Sequence, residues 1–400
     1  MSATVADVLR NDARWSVSVG DCIDGLRAMP DGRAQTCVTS PPYYGLRDYG
    51  TAAWVGGDAA CDHKIDDAAL HASFGSASTI AGTTTRQKGA AAARLLRNGC
   101  PRCGAVRVDR QIGMEPTPQE FVARLVAVFA EVRRVLRDDG TLWVNIGDSY
   151  AAQGGAHGGR NDNQRGVGAR RTHDSGGGDK VARVAPRGLK PKDLVGIPWR
   201  LAFALQDDGW FLRSDIVWAK PNPMPESVTD RPTRAHEYVF LLTKRARYFY
   251  DADAIREPMV AGANGSSFTT GKTHAAATML RPVGASKRAD NPDGRNARSV
   301  WTITPEPYEG AHFATMPPDL ARRCILAGSR KGDVVLDPFG GTATTALVAL
   351  AHQRRALLCE LNADYVPLMR ERLAAVDTDA AEPLRMAAGA DFGPLFGGSL

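Results

Sequence analysis

The stretch that decides the fold runs from Val334 to Glu360 and reads VVLDPFGGTATTALVALAHQRRALLCE. Val334 to Asp337 has the pattern of a short buried strand, and the glycines that follow allow a tight turn. A helix is predicted from Thr344 to Ala351 and a second strand from Ala356 to Glu360. Further helices are predicted on either side, over Pro317–Leu326 and Tyr365–Ala375. This alternation predicts a parallel sheet joined by right-handed crossovers.

The remainder of the chain continues the alternation, with polar interruptions. Helices are predicted over Ile23–Met29, over Pro118–Leu136 behind a Thr117 cap, and over Leu194–Asp207. Strands are predicted over Trp15–Val19, Ala34–Val38, Thr141–Ile146, Phe211–Trp218, His236–Thr243 and Tyr248–Tyr250. The interruptions contain few large apolar residues, so they are predicted to be insertions in one α/β core.

The turn after Asp337 has the features of a nucleoside site. Glycines let the backbone approach a ligand, and Glu360 ends the next strand 23 residues further on. In dinucleotide-type folds, an acid about 20 residues on binds ribose hydroxyls. No Lys-Ser/Thr pair follows the glycines, and an Asp at the turn favours a cofactor with a cationic or amino head over a pyrophosphate. The alternative is a structural turn with a C-capping glutamate.

A second motif, Thr39-Ser40-Pro41-Pro42-Tyr43, directly follows a predicted strand. It predicts a rigid, polar pocket for a flat heterocycle with an exocyclic amine. Ser40 and the carbonyl of Pro41 can accept hydrogen bonds from such an amine, because proline has a carbonyl but no N–H. Tyr43 could stack on an extruded base. The alternative is a proline-rich turn without chemistry.

Together, the two motifs resemble those of the S-adenosylmethionine-dependent DNA amino-methyltransferases of the N4-cytosine/N6-adenine family. That family carries (Ser/Asp/Asn)-Pro-Pro-(Tyr/Phe) and Asp-Pro-Phe-x-Gly-x-Gly-Thr-Thr; here Ala343 stands where the last glycine is usual. The catalytic motif comes first, which resembles the permuted, beta-type order. The resemblance implies an α/β, Rossmann-like class I methyltransferase fold, circularly permuted and with insertions. Its sheet would be mostly parallel and seven-stranded, with helices on both faces.

The resemblance also implies site residues, a substrate and a partition of the chain. The implied catalytic residues are Ser40, Pro41, Pro42 and Tyr43, and the implied cofactor residues are Asp21, Phe313, Thr315, Asp337, Phe339, Gly341, Thr344 and Glu360. Serine at the first motif position is typical of cytosine N4 enzymes and aspartate of adenine N6 enzymes, so cytosine is favoured. The alternatives are an adenine N6 enzyme, an RNA or protein amide methyltransferase, and a zinc-ribbon nucleic-acid-binding protein with an inactive core.

Residues 1–54, 111–150 and 193–250 are expected to form the catalytic half and its core. Residues 311–378 would form the cofactor-binding half, followed by a tail at 379–400. The segment 151–192 is rich in Gly and Arg and is predicted to be a mobile loop. Residues 251–310 are predicted to be a variable target-recognition region.

The insertion at 55–110 contains Cys61-x-His63 and Cys100-x-x-Cys103-Gly104. The Cys-x-x-Cys-Gly half has the spacing of a zinc knuckle, whereas the Cys-x-His half is tighter than usual. A metal would explain how a segment with little core holds its shape. The sequence predicts a structural zinc ion with no open coordination position; the alternative is reduced, unliganded thiols.

Composition and charge set the remaining expectations. The 400 residues include 43% hydrophobic and 24% charged residues, with a net charge of +6, as in a globular protein that can meet a polyanion. No apolar run reaches the roughly 18 residues of a membrane span, so a cytoplasmic location is expected. Double-stranded DNA is the expected partner, with a separate restriction endonuclease possible, and the chain is expected to be a monomer or homodimer. The candidate DNA contacts are Arg170, Arg171, Lys220, Arg231 and Arg234.

Overall fold

The computed structural model describes residues 3–45, 51–63, 99–100, 102–151, 189–258, 294–305, 316–374 and 376. Phe313, Thr315, Arg170 and Arg171 therefore lie outside the described residues. The predicted loop at 151–192, apart from its ends, and the tail at 379–400 also lie outside them. Among the described residues, no helix is both long and apolar enough to cross a membrane.

The described chain is an alternation of strands and helices. The strands are β1 Trp15–Val19, β2 Ala34–Thr39, β3 Ala53–Val55, β4 Val106–Val108, β5 Leu136–Ile146, β6 Phe211–Ala219, β7 His236–Thr243, β8 Val300–Thr302, β9 Val334–Asp337 and β10 Arg355–Glu360. The α-helices are α1 Val5–Arg10, α2 Cys22–Arg27, α3 Pro118–Val135, α4 Ile197–Asp207, α5 Pro318–Gly328, α6 Thr344–Ala351 and α7 Tyr365–Ala374.

Eight of these strands form one sheet in the order β1-β10-β9-β2-β5-β7-β6-β8. From β1 to β5 every pairing is parallel, β7 is antiparallel to both of its neighbours, and β8 is parallel to β6. The predicted α/β fold with a mostly parallel sheet is confirmed. The predicted count of seven strands is wrong, because β8 adds an eighth. Three residues are too few to show the period-2 pattern from which a strand is recognised.

Helices cover both faces of the sheet, as predicted. Side chains alternate along each strand, so Cys37 packs with one apolar cluster and Val38 with the other. One cluster draws on α1 to α4 and the other on α5 to α7. Full burial of each large apolar side chain contributes about 1.5–3 kcal/mol relative to exposure, so the two clusters fix the sheet from both sides.

Two local predictions are wrong, each for a visible reason. Tyr248–Tyr250 is not a strand: the N–H of Phe249 donates to the carbonyl of Asp139 at 2.9 Å, and the guanidinium of Arg330 stacks 3.8 Å from its ring. The ring of Tyr250 stacks on Trp143 of β5, and the segment does not extend the sheet. Helix α4 begins at Ile197 rather than Leu194, because the left-handed Gly196 (φ 78°) immediately precedes it.

Outside the main sheet, β3 and β4 pair as an antiparallel ribbon. A two-stranded ribbon of three residues per strand is marginal on its own in water. The insertion therefore needs a further source of order, which its cysteine and histidine side chains can supply.

Candidate active site and metal centre

The predicted site residues meet at one edge of the sheet. Strands β1, β10, β9 and β2 are parallel neighbours, so their carboxyl ends lie side by side. Asp21, Glu360, Asp337 and Ser40 stand at or just beyond those four ends. In open α/β sheets, ligands bind outside the carboxyl ends of the strands.

Asp337 is the most enclosed carboxyl group of this edge, with 4% of the residue exposed. The hydroxyl of Thr39 donates to its Oδ1 at 2.6 Å, and the N–H of Phe339 donates to the same oxygen at 3.0 Å. Burial outweighs these hydrogen bonds and raises the pKa of Asp337 to about 7. The first contact also ties the end of β2 to the end of β9.

Glu360 holds the turn that follows Asp337. Its two carboxylate oxygens accept hydrogen bonds from the N–H groups of Gly341 and Asn362, each at 2.8 Å. Burial raises the pKa of Glu360 as well. The carboxylate is not a simple helix cap: it draws the glycine turn onto β10 and still has lone pairs for a ligand hydroxyl.

Ala343 takes the unusual position in this turn. It has φ 61° and ψ 31°, the left-handed conformation that favours glycine, and its side chain is fully buried. Alanine at this position therefore holds a backbone conformation that is strained for a residue with a Cβ. Beside it, Arg372 donates to the carbonyl of Thr342 at 2.6 Å and to the hydroxyl of Thr344 at 3.2 Å.

Asp21 joins the same group through the backbone. Its carboxylate accepts from the N–H of Ile23 at 2.8 Å and caps α2, while the N–H of Gly20 donates to the carbonyl of Glu360 at 2.8 Å. The structure thus brings together Asp21, Asp337, Phe339, Gly341, Thr344 and Glu360.

The Ser-Pro-Pro-Tyr loop, Ser40 to Gly45, leaves β2 beside this turn. The ring of Tyr43 lies against Gly147 so closely that a Cβ there would stand 2.6 Å from Tyr43 Cε2. The Tyr43 hydroxyl donates to Glu237 Oε2 at 2.5 Å. Burial, followed by the neighbouring Glu237, raises the pKa of Tyr43 well above its usual range. The phenol is therefore a neutral, fixed surface.

Sequence reasoning did not assign Glu237 a role, yet it is the centre of a polar network. In addition to the hydrogen bond from Tyr43, its carboxylate accepts a hydrogen bond from Asn145 Nδ2 at 3.1 Å. It also forms an ion pair with the ammonium of Lys220. These partners come from β5, from the end of β6 and from the loop after β2. The only signal in the sequence was an acid near the start of the apolar strand β7.

The predicted DNA contacts within the described residues differ in their surroundings. Lys220 is paired with Glu237, and Arg231 is paired with Glu226 at 2.7 Å and stacked 3.9 Å from the ring centre of Tyr150. Arg234 has a buried Nη1 with no hydrogen-bond partner among the described residues. Burial and then the charge of Arg234 lower the pKa of His236. Arg234 therefore lies among the groups around Tyr43.

The four candidate metal ligands also meet. The donor atoms of the metal-ligand cluster, Cys61, His63, Cys100 and Cys103, all lie within 4.8 Å of one another. The two sulfurs of Cys61 and Cys100 are 3.8 Å apart, and Cys103 Sγ is 3.6 Å from His63 Nδ1. The ring of His63 stacks on Trp54 of β3, with centroids 4.5 Å apart. Such a cluster can hold a metal ion.

Comparison with known proteins identifies the family of this chain. A family model described as DNA methylase, for N6 and N4 methyltransferases, matches residues 34–371. The chain is 39% identical over 360 residues to the type II methyltransferase M.Cfr9I of Citrobacter freundii, covering 90% of this chain and 88% of that protein. It is 41% identical over 354 residues to M.XycI of Xanthomonas campestris pv. cyanopsidis, covering 88% and 86%.

Among solved structures, the chain resembles one named PvuII DNA methyltransferase (cytosine-N4-specific). The TM-score is 0.50 at 16% identity, and the match covers 92% of this chain and 88% of that one. At this identity the likeness concerns the fold, and it agrees with the observed sheet.

Proposed function

The chain belongs to the DNA methylase family, and on that premise we propose that it transfers a methyl group from S-adenosylmethionine to the N4 amine of a cytosine extruded from double-stranded DNA. The observation that carries the proposal is the contact between its two motifs. Ser40 follows the strand that ends at Thr39, and Thr39 donates to Asp337 at 2.6 Å. The loop suited to an amine thus lies beside the turn suited to a nucleoside cofactor.

The residues of that turn fit S-adenosylmethionine. Asp337 is a buried carboxyl group with two hydrogen-bond donors and no described cationic partner, which suits an amino or cationic group of a cofactor. Glu360 keeps lone pairs for ribose hydroxyls after holding Gly341 and Asn362. When bound, the cofactor supplies a methyl group activated by a sulfonium. The remaining work of the protein is to position and polarise the amine.

An exocyclic amine is a weak nucleophile because its lone pair is delocalised into the ring. In the proposal, Ser40 Oγ and the Pro41 carbonyl oxygen accept hydrogen bonds from the two N–H groups of the amine. These hydrogen bonds draw the nitrogen towards a tetrahedral geometry. Positioning of this kind needs no strong base and no covalent cysteine. The extruded base stacks on Tyr43, whose ring Gly147 and Glu237 hold in place.

Serine at position 40 supports cytosine as the target. A neutral acceptor is enough for the cytosine amine, which is the more nucleophilic of the two. Adenine N6 remains the alternative, and it would be served better by a carboxylate. Arg234 stays a proposed phosphate contact, and its buried Nη1, which has no described protein partner, would have to become exposed to reach DNA. Lys220 and Arg231 stay proposed phosphate contacts that would have to leave or share their acidic partners.

Three further parts of the proposal concern the chain as a whole. The order of the motifs is proposed to be the permuted, beta-type order. A separate restriction endonuclease is a proposed partner. Residues 251–310 are the proposed target-recognition region, of which 251–258 and 294–305 are described and the rest lie outside the described residues.

We also propose that the metal-ligand cluster binds zinc in a structural role. Three thiolates and one imidazole form a four-coordinate donor set of the kind found in structural zinc sites. All four positions would be taken by protein atoms, so no position is left for substrate. Metal content of protein purified without chelator tests this assignment.

The target base is tested by product analysis. The protein is incubated with labelled S-adenosylmethionine and mixed duplex DNA, and the DNA is digested to nucleosides. We expect label in N4-methyl-2′-deoxycytidine, the nucleoside that methylated cytosine in DNA releases. Label in N6-methyladenine would overturn the choice of base, and label only in RNA, or none, would overturn the proposed function itself.

Replacing Glu237 with Gln is expected to lower the transfer rate about tenfold, since small displacements of positioning groups are costly. The amide keeps the shape but leaves Lys220 without its carboxylate and weakens the hold on Tyr43. Single-turnover rates and cofactor affinity check this, with affinity expected to be unchanged. Glu131→Gln on α3 is the matched control. Like Glu237, Glu131 is an acid in an ion pair, here with Arg134, but it lies away from the site. Equal rates for the two variants would contradict the positioning role.

A further inference from the structure

We infer that the metal-ligand cluster is a positioning site: bound zinc closes the insertion, and the insertion braces the Ser-Pro-Pro-Tyr loop. The inference rests on the proposed function, because it concerns the loop that would hold the target amine. It adds that the assembly of this loop depends on a metal ion, which takes no part in the reaction itself.

The first support is the spacing of the ligands. In a tetrahedral site with Zn–S of about 2.3 Å and Zn–N of about 2.0–2.1 Å, sulfur–sulfur edges are about 3.8 Å and sulfur–nitrogen edges about 3.5 Å. The observed Cys61–Cys100 and Cys103–His63 distances are 3.8 and 3.6 Å. Two of the six donor–donor distances thus already match the tetrahedron that zinc prefers, and all four donor atoms lie within 4.8 Å of one another.

The second support is the local backbone. Gly99 and Gly104 both have positive φ, and the N–H of Gly104 donates to the carbonyl of Cys100 at 2.8 Å, which folds Cys100 to Gly104 into a tight knuckle. Gly57, next to β3, lies so near that a Cβ there would be 2.8 Å from Cys103 Sγ. The ribbon and the knuckle are therefore packed around the ligands, and zinc would lock them together.

The third support is the path from the ribbon to the loop. The return segment, residues 109–115, leads from β4 back to the Ser-Pro-Pro-Tyr loop. The N–H of Gly45 donates to the carbonyl of Gly113 at 2.8 Å, and a Cβ on Gly113 would stand 3.1 Å from the carbonyl oxygen of Tyr43. Ile112 is buried in the same core cluster as Tyr44. The return segment is thus hydrogen-bonded to and packed against the loop itself.

The return segment is fixed on its other side by α3. Arg124 donates to the carbonyls of Arg110 and Gln111 at 3.0 and 3.2 Å and pairs with Glu115 at 3.3 Å. Glu115 in turn accepts from the N–H of Gly113 at 2.8 Å. The return segment therefore links the loop to a helix of the core on one side. On the other side it links the loop to the β3–β4 ribbon, whose order we attribute to a metal. The cofactor residues Asp337 and Glu360 lie on other strands and make none of these contacts.

The test compares full-length wild type with His63→Ala, His63→Cys and Arg102→Ala. Cysteine at 63 keeps four zinc ligands, and Arg102 is an exposed neighbour paired with Asp62 that donates nothing to a metal. Four quantities are measured: zinc per chain, S-adenosylmethionine affinity, transfer rate, and hydrogen exchange of peptides covering residues 39–45.

We expect wild type, His63→Cys and Arg102→Ala to carry one zinc per chain and to have similar rates. His63→Ala should lose zinc, exchange faster at residues 39–45 and transfer about 10²-fold more slowly, the scale of a misplaced reacting group. Its affinity for the cofactor should change less than twofold. If His63→Ala does not fold, the same readouts on wild type stripped with a chelator and then given zinc sulfate replace it.

Absence of zinc from wild type, also after addition of zinc sulfate, would overturn the metal site. Loss of zinc with unchanged exchange at residues 39–45 would overturn the bracing role. A wild type that binds zinc and shows metal-dependent exchange but transfers no methyl group to DNA would leave the brace standing and overturn the proposed function instead.

Discussion

Alanine at position 40 is expected to lower the methyl-transfer rate about 10²-fold, the scale seen when one positioned hydrogen-bond partner is removed from a transition state. The variant would lose the side-chain acceptor for the target amine and keep the Pro41 carbonyl. Its affinity for S-adenosylmethionine should be unchanged, because Thr39, not Ser40, contacts Asp337. Single-turnover kinetics and equilibrium binding measure the two effects separately.

The matched control for that variant is Ser214→Ala, which removes a partly buried hydroxyl from β6. It should behave as wild type in both measurements. Near wild-type turnover of Ser40→Ala would show that the assigned acceptor role is wrong. A Ser40→Ala protein that also loses the cofactor would place Ser40 in the cofactor site.

Asparagine at position 337 is expected to weaken S-adenosylmethionine binding by about 10- to 10²-fold, which corresponds to the loss of one hydrogen bond to a charged group. Its Oδ1 can still accept from Thr39 and Phe339, so the turn should keep its shape. The variant cannot become an anion, and so it cannot balance a cationic or amino group of the cofactor. Titration calorimetry with the cofactor gives the affinity directly.

The same carboxyl group makes the stability of the cofactor-free protein depend on pH. Its pKa is about 7 when folded, against 3.8 as the ordinary value, so the folded state holds a proton that the unfolded state has released. The contribution of Asp337 to the free energy of unfolding should therefore fall as pH rises from about 4 to about 7. Asp337→Asn should lack this dependence, as denaturant midpoints at pH 5 and pH 8 would show.

Asp24→Asn is the control for this pair of measurements, because Asp24 is an exposed acid on α2. It should keep both the affinity and the pH profile of wild type. If Asp337→Asn binds the cofactor as tightly as wild type, Asp337 has no role in holding its charged head. If the pH profile of Asp337→Asn matches that of wild type, another group is responsible for it.

The sequence predicted the secondary structure best in the proposed cofactor-binding half of the fold. The bounds of β9 and α6 agree with the prediction, because Asp337 and the glycines mark where one ends and the other begins. The sequence also indicated that the four candidate metal ligands meet, since short spacings within each pair already restrict their geometry. In both cases, the information lies within a few neighbouring residues.

The parts that could not be predicted depend on distant pairing. Glu237 meets Tyr43, 194 residues away in sequence, only because β7 runs antiparallel beside β5 and so begins at the edge where β2 ends. No local pattern states that order of strands. The aromatic run at 248–250 shows the converse case: its alternation resembles a strand, but Phe249 bonds through its N–H to Asp139 and the ring of Tyr250 stacks on Trp143 of β5.

The position of β1 has a consequence for synthesis on the ribosome. Among the described strands, the partner of β1 is β10, in the register Trp15 to Ala356, so one of the first strands to emerge pairs with the last one described. β9, which separates β10 from β2, also emerges late. A nascent chain can build the β2-β5-β7-β6 part of the sheet early, but β1 must wait, unpaired, for the end of translation. Such long-range pairing slows folding, and a translation product that stops before Glu360 lacks part of the proposed cofactor site.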